Sequence, residues 1–90
     1  MPFGWDPEKA AENLRKHGVP FEEAETVFDD PLSKTHLDPD HSEGEEHYLE
    51  VGHSSRRRVL LVSYTERQGR VRIMSARRVT RKERRSYEER

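Results

Sequence analysis

Cysteine is absent from the 90-residue chain. That excludes a disulfide framework, a thiol nucleophile and every cysteine-containing metal site. A cysteine-free chain fits a reducing compartment, so a cytoplasmic location is expected. No long apolar run occurs, and neither a signal peptide nor a membrane span is expected. Hydrophobic residues are also few, 30% against 39% charged, a balance that leans toward disorder unless the apolar positions are grouped. They are grouped into periodic elements, which implies one small core and a single domain over residues 1–90. At this size a partner or oligomerisation is expected to supply part of the stability.

What the chain has in excess is sorted charge. Residues 1–50 hold 14 acids and 4 basic residues, a balance of −10, and residues 51–90 hold 13 basic residues and 4 acids, a balance of +9. The net charge of −1 hides this polarity. Such asymmetry between halves points toward nucleic-acid contact. Nearly all of the positive charge is arginine, which forks bidentately onto phosphate and stacks on bases better than lysine.

The element order follows from local signals. Phe3-Gly4-Trp5 is a short apolar alternation, an edge strand or an aromatic staple. Asp6 is a helix N-cap with Pro7 at the first helical position, and Gly18 supplies a left-handed stop, which bounds a helix over residues 7–17. Ala10, Ala11 and Leu14 share one face of it. A second helix is expected near 21–28 from the stripe Phe21, Ala24, Val27 and Phe28, closed by Asp29-Asp30-Pro31. Residues 32–37 form a short strand and Asp38 to Glu46 a polar loop. His47 to Val51 reads as a strand ending at Gly52, followed by a turn at His53-Ser54-Ser55. Val59 to Tyr64 is apolar on both faces, the mark of a central strand covered on each side. Gln68-Gly69 turns the chain into a returning strand over Val71 to Ala76. Thr80 and Glu83 have capping-box spacing, so a basic helix is expected over about 81–89. The predicted class is α+β: two N-terminal helices, an antiparallel sheet and a C-terminal basic helix.

Strict alternation on the last strand puts Arg70, Arg72, Met74 and Ala76 on one side, with Val71, Ile73, Ser75 and Arg77 on the other. Arg56-Arg57-Arg58 precedes the neighbouring strand, and the last helix adds Arg81, Lys82, Arg84 and Arg85. So many guanidinium groups repel one another unless a polyanion relieves them, and phosphate is the natural candidate. Tyr64 and Tyr87 offer stacking faces. The plain alternative is a solvated face whose arginines pair with the acids of the first half.

Other chemistry is weaker. His36, Asp38, Asp40, His41 and His47 gather ligand types but fit no metal motif, and a calcium-loop alignment from Asp38 puts Glu43 where the turn glycine belongs. An irregular acidic loop is the simpler account, and no metal or cofactor is expected. His17 lies at a helix C-terminus, where the dipole favours the imidazolium. It is either a proton donor to a leaving 5′-oxygen or a plain complement to the helix end. Glu46 or Glu66 is a general base, or balances a neighbouring arginine.

Several stretches together resemble the BrnT family of type II toxins. They are F-G-W-D-P-E-K-A from Phe3, N-L-R-K-H-G-V from Asn13 and F-E-E-A-E-T-V-F-D-D-P from Phe21. G-E-E-H-Y-L-E-V-G from Gly44 and R-V-R-I-M-S-A-R from Arg70 follow, then a basic helix with Glu83 and Tyr87. Pro20 departs from a Ser-like N-cap, and His47 stands where an arginine is common. The resemblance implies a RelE-like fold and a growth-arresting endoribonuclease. It also implies a BrnA-type antitoxin through which the complex binds its own promoter DNA. Metal-independent cleavage is expected, the ribose 2′-hydroxyl attacking the adjacent phosphate while arginines stabilise the added charge. The expected reaction centre brings together His17, Arg58 and Arg77, with Lys16 and Tyr87 nearby. Arg56, Arg57, Arg70, Arg72, Arg78 and Arg81 are the expected RNA-binding residues. The rival readings are a non-catalytic nucleic-acid-binding module and a protein whose basic face only docks the antitoxin.

Overall fold

In the computed structural model, which describes residues 2–41 and 44–89, the chain begins with a two-residue strand, β1 (Phe3–Gly4), and then enters α1 (Pro7–His17). The Asp6 carboxylate accepts the Glu8 amide at 2.9 Å, and Gly18 ends the helix at φ 68°, its amide bonded to the Leu14 carbonyl. Of the Ala10, Ala11 and Leu14 face only Ala10 packs against the core. Leu14 is 52% exposed and Ala11 is exposed, whereas Asn13 is buried. The Asn13 amide donates to the carbonyls of Val19 and Ala76 and its oxygen accepts the Ala76 N–H at 3.0 Å. A polar side chain thus completes the backbone pairing of a sheet edge, which apolar periodicity cannot reveal.

The second helical segment is α2 (Phe21–Glu25), which tightens into a 3₁₀ turn over Thr26–Asp29. Then come β2 (Lys34–Leu37), a 3₁₀ turn at Pro39–His41, β3 (His47–His53), β4 (Val59–Arg67), β5 (Arg70–Arg78) and α3 (Arg81–Glu88). Gln68 and Gly69, at φ 54° and 77°, make the tight β4–β5 turn. Thr80 and Glu83 form the full capping box of α3.

The sheet order is β1-β5-β4-β3-β2. It is mixed rather than antiparallel, because β1 runs parallel to β5 through Phe3↔Val71. β4 is central, as its apolar run implies. Val19, Phe21, Ala24 and Val27 pack on Leu60, Val62, Tyr64, Val71, Ile73 and Ala76 to form the core on one face. The other face is covered only in part, by α3, and leaves Leu61 and Ser63 half-buried.

A register shift between Ser63 and Tyr64 matters most for the site. Ser63 faces Ser75 and Tyr64 faces Ile73, so Met74 is the extra residue of a β-bulge. Alternation inverts there. Ala76 joins Val71 and Ile73 in the core, and Arg77 moves to the face that carries Arg70 and Arg72, overturning the strict period-two assignment.

Candidate nucleic-acid interface

The ends of β3 and β5 and the start of β4 meet at one end of the sheet, beside the C-terminus of α1 and the N-terminus of α3. This end gathers Arg56, Arg57, Arg58, Arg77, Arg78 and Arg81. The β3–β4 turn that carries the first three holds Arg57 at φ 62°. It is pinned by Ser54, whose hydroxyl donates to Glu23 at 2.6 Å while the Ser55 amide donates to the Thr26 hydroxyl.

Arg58 leaves the turn toward the helices. Its Nε donates to Glu23 Oε2 at 2.9 Å, its Nη2 to Glu23 Oε1, and the same Nη2 reaches the Gly18 carbonyl at 3.3 Å. The Glu23 side chain is only 2% exposed. The Arg58 hydrogen bonds hold its carboxyl below the ordinary value against the burial that opposes this. Arg77 leaves β5 on the other face of the sheet. Both its terminal nitrogens donate to the Glu83 carboxylate at 2.9 Å, a bidentate pair. Glu83 also accepts the Thr80 amide. Its pKa is lowered to about 2, chiefly by Arg77.

The structure therefore does not bring Arg58 and Arg77 together as expected. By register Arg58 shares a face with Leu60 and Val62, and Arg77 pairs with Leu61 on the opposite one. Arg58 neighbours the end of α1, where His17 and Lys16 are exposed, and Lys16 pairs with Glu12 at 3.2 Å. Those two residues line an open groove along α1 with Met74 and Ser75. Tyr87 is buried and does not present a stacking ring. Its hydroxyl donates to Asp30 Oδ2 at 2.8 Å, anchoring α3.

The expected RNA-binding arginines divide in two. Arg56, Arg57, Arg78 and Arg81 are exposed at this end. Arg70 and Arg72 lie toward the opposite end of β5, roughly 15–25 Å away at about 3.3 Å per residue, in a groove with Glu45, Thr65 and Arg67. Glu46 accepts the Tyr48 hydroxyl at 2.6 Å. Glu66 borders a separate acidic and aromatic cleft with Asp29, Tyr48, Glu50 and Tyr64. Neither acid stands at the arginine-rich end; by register Glu66 lies between the pairs Thr65↔Arg72 and Arg67↔Arg70. Among the described residues no three His, Asp or Glu side chains gather as metal ligands would; Glu43 and the side chain of His41 lie outside them. No helix among those residues is long and apolar enough to cross a membrane.

One constellation escaped the sequence reading. Asp30 accepts the backbone N–H groups of His53 and Leu32 at 2.8 and 2.9 Å as well as the Tyr87 hydroxyl. Burial pushes its carboxyl up, but these donors outweigh it and hold the pKa below the ordinary value. The His53 Nδ1 lies 3.7 Å from Asp30 Oδ2 and 3.4 Å from the Tyr87 oxygen. Asp30 reads locally as a helix stop and His53 as a turn residue, and no local signal joins them.

Comparison with known proteins completes the picture. No curated protein sequence matches. The crystal structure of the ribonuclease toxin BrnT from Brucella abortus superposes with a TM-score of 0.67 over 90% of this chain and 99% of that one, at 18% identity. A family model described as "Ribonuclease toxin, BrnT, of type II toxin-antitoxin system" matches residues 5–83. With that match spanning most of its length, the chain belongs to the BrnT family of ribonuclease toxins of type II toxin–antitoxin systems.

Proposed function

We propose that this chain is a metal-independent endoribonuclease whose reaction centre lies at the arginine-rich end of the sheet. The observation that carries the reading is the gathering there of exposed Arg56, Arg57, Arg78 and Arg81 around two arginines held rigidly by carboxylates. The exposed four supply attraction for the RNA backbone. Arg77, fixed by Glu83 but still 38% exposed, is the group that stabilises the phosphoryl oxygens. Arg58, tied to Glu23 and to the Gly18 carbonyl, sets the position of the α1 end. His17 and Lys16, at the α1 end beside Arg58, contact RNA on the other side of the sheet from Arg77. Tyr87 holds α3 over the site. Arg70 and Arg72 contact RNA farther along. In this reading the chain is one cytoplasmic domain with a RelE-like fold. A BrnA-type antitoxin neutralises it by covering the arginine-rich end, and the complex binds promoter DNA through that antitoxin.

The test is cleavage of cellular RNA and of mixed-sequence oligoribonucleotides by the purified chain in EDTA. Products ending in a 2′,3′-cyclic phosphate or 3′-phosphate are expected, and Arg77→Ala should abolish them at matched folded protein. Activity that disappears in EDTA and returns with a divalent ion overturns metal independence. Binding without cleavage by the wild type leaves a non-catalytic RNA-binding module.

A further inference from the structure

We propose that His53, oriented by Asp30 and Tyr87, is the general base that takes the proton from the attacking 2′-hydroxyl. This deepens the ribonuclease reading and rests on it.

The argument begins with what ties the imidazole down. Asp30 stands where β2 would continue beside β3, since β2 pairs no farther than Lys34↔Val51. Its Oδ2 replaces the missing strand by accepting the His53 N–H, and it also takes the Tyr87 hydroxyl proton. The Tyr87 oxygen also lies 3.4 Å from His53 Nδ1. In the tautomer this role needs, Nδ1–H faces these two oxygens and the Nε2 lone pair is free, as a base requires. The side chain is 42% exposed and no described residue bonds Nε2. Catalytic hydrogen bonds of this kind are often long before substrate binds.

Position agrees with chemistry. By register His53 lies on the face of the sheet that carries Val51, Leu61 and Arg77. α3 links the two ends of this constellation, because Glu83 grips Arg77 and Tyr87, one turn or about 6 Å along the helix, touches His53. The titratable groups facing the ring are Asp30 and Tyr87. β4 places uncharged Val59 opposite, and the adjoining turn contributes Arg56 and Arg57.

The step balances without a co-reactant. His53 Nε2 takes the 2′-hydroxyl proton as the 2′-oxygen bonds to phosphorus. The bond from phosphorus to the 5′-oxygen breaks, and the leaving oxygen takes a proton from solvent water, which reaches this exposed end of the sheet. A 2′,3′-cyclic phosphate and a 5′-hydroxyl result.

The experiment measures single-turnover cleavage of an oligoribonucleotide against pH for the full chain, His53→Gln, His53→Ala and Asp30→Asn. Each variant is checked for thermal melting and for affinity to the 2′-deoxy oligonucleotide, which binds without reacting. His53→Gln should lose on the order of a hundredfold in rate with affinity unchanged. The rise of rate with pH on the acidic limb should vanish. Added imidazole should restore part of the rate to His53→Ala, and Asp30→Asn should displace the acidic limb. Wild-type rate and an unaltered pH profile in His53→Gln overturn the inference and leave the ribonuclease reading standing. Loss of rate in His53→Ala that imidazole does not touch makes His53 a structural anchor of α3 and also overturns it. A wild-type chain that cleaves no RNA overturns both.

Discussion

Arginine 58 shows why a cation in a basic run is not automatically a ligand for phosphate. Its guanidinium neutralises Glu23, whose carboxylate is closed off from water between α2 and the β3–β4 turn. Removing the arginine leaves the buried carboxylate with only the Ser54 hydroxyl and the exposed Arg56 at 3.9 Å, at a cost of up to about 3–5 kcal/mol. A 90-residue chain is stable by only about 5–13 kcal/mol. Arg58→Ala should therefore lower the urea midpoint sharply, and any lost cleavage will follow the lost fold. Glu23→Gln, which keeps the shape and removes the charge, should be milder. Glu83 gives the acid counterpart. Its folded pKa, about 2, lies below the unfolded value of about 4.3. The stabilisation from its pairing with Arg77 is therefore complete above about pH 5 and is lost as pH falls toward 2. Solvent reaches both partners, so the effect is modest. Unfolding followed by urea between pH 6 and pH 2 should be flatter for Glu83→Gln than for the wild type.

At Gly52, β3 passes tightly against the 3₁₀ turn after α2 and the segment that follows it. A methyl group there would sit 2.8 Å from Ser33 Cβ, 3.0 Å from Asp30 Oδ2 and 3.1 Å from Val27 Cγ1. Gly52→Ala should cost about 1–3 kcal/mol, and thermal melting should show the loss as a drop of several degrees. From sequence this glycine reads as a strand terminator, yet β3 runs through it to His53. The contrast separates what was legible from what was not. α1 was readable because Asp6, Pro7 and Gly18 act within a few residues of one another, and α3 because Thr80 and Glu83 satisfy each other. The central place of β4 was readable from its unbroken apolar run. The bulge at Met74, the clearance at Gly52 and the Asn13 bond to Ala76 depend on partners far away in the chain. No local pattern encodes them. The candidate site divides in the same way: the arginines were visible in the sequence, and the carboxylates that hold two of them and the Asp30–His53 contact were not.

The separation of charge along the chain is kept only in part in space: Arg56, Arg57, Arg78 and Arg81 gather at one end of the sheet, while Arg67, Arg70 and Arg72 lie at the other, beside Glu45 and next to the Asp29, Glu50 and Glu66 cleft. RNA binding should be strongly salt-dependent. With about four phosphate contacts from Arg56, Arg57, Arg78 and Arg81, the slope of log K against log salt for a 2′-deoxy oligonucleotide should be about −3. Each of Arg78→Gln and Arg81→Gln should reduce its magnitude by about 0.7. A slope near zero would remove these residues from the interface. The parallel pairing of Phe3 with Val71 carries a consequence of another kind. β5 must insert between β4 and a strand made near the start of translation, a pairing that spans most of the chain and is slow to close. Until β5 folds back beside it, β1 lacks the strand it pairs with. Arg77, Arg78, Arg81 and Tyr87 arrive with or after the strand that closes the sheet. The end of β5 and α3, which carry Arg77, Arg78, Arg81 and Tyr87, therefore take their places only once that slow, long-range pairing has closed.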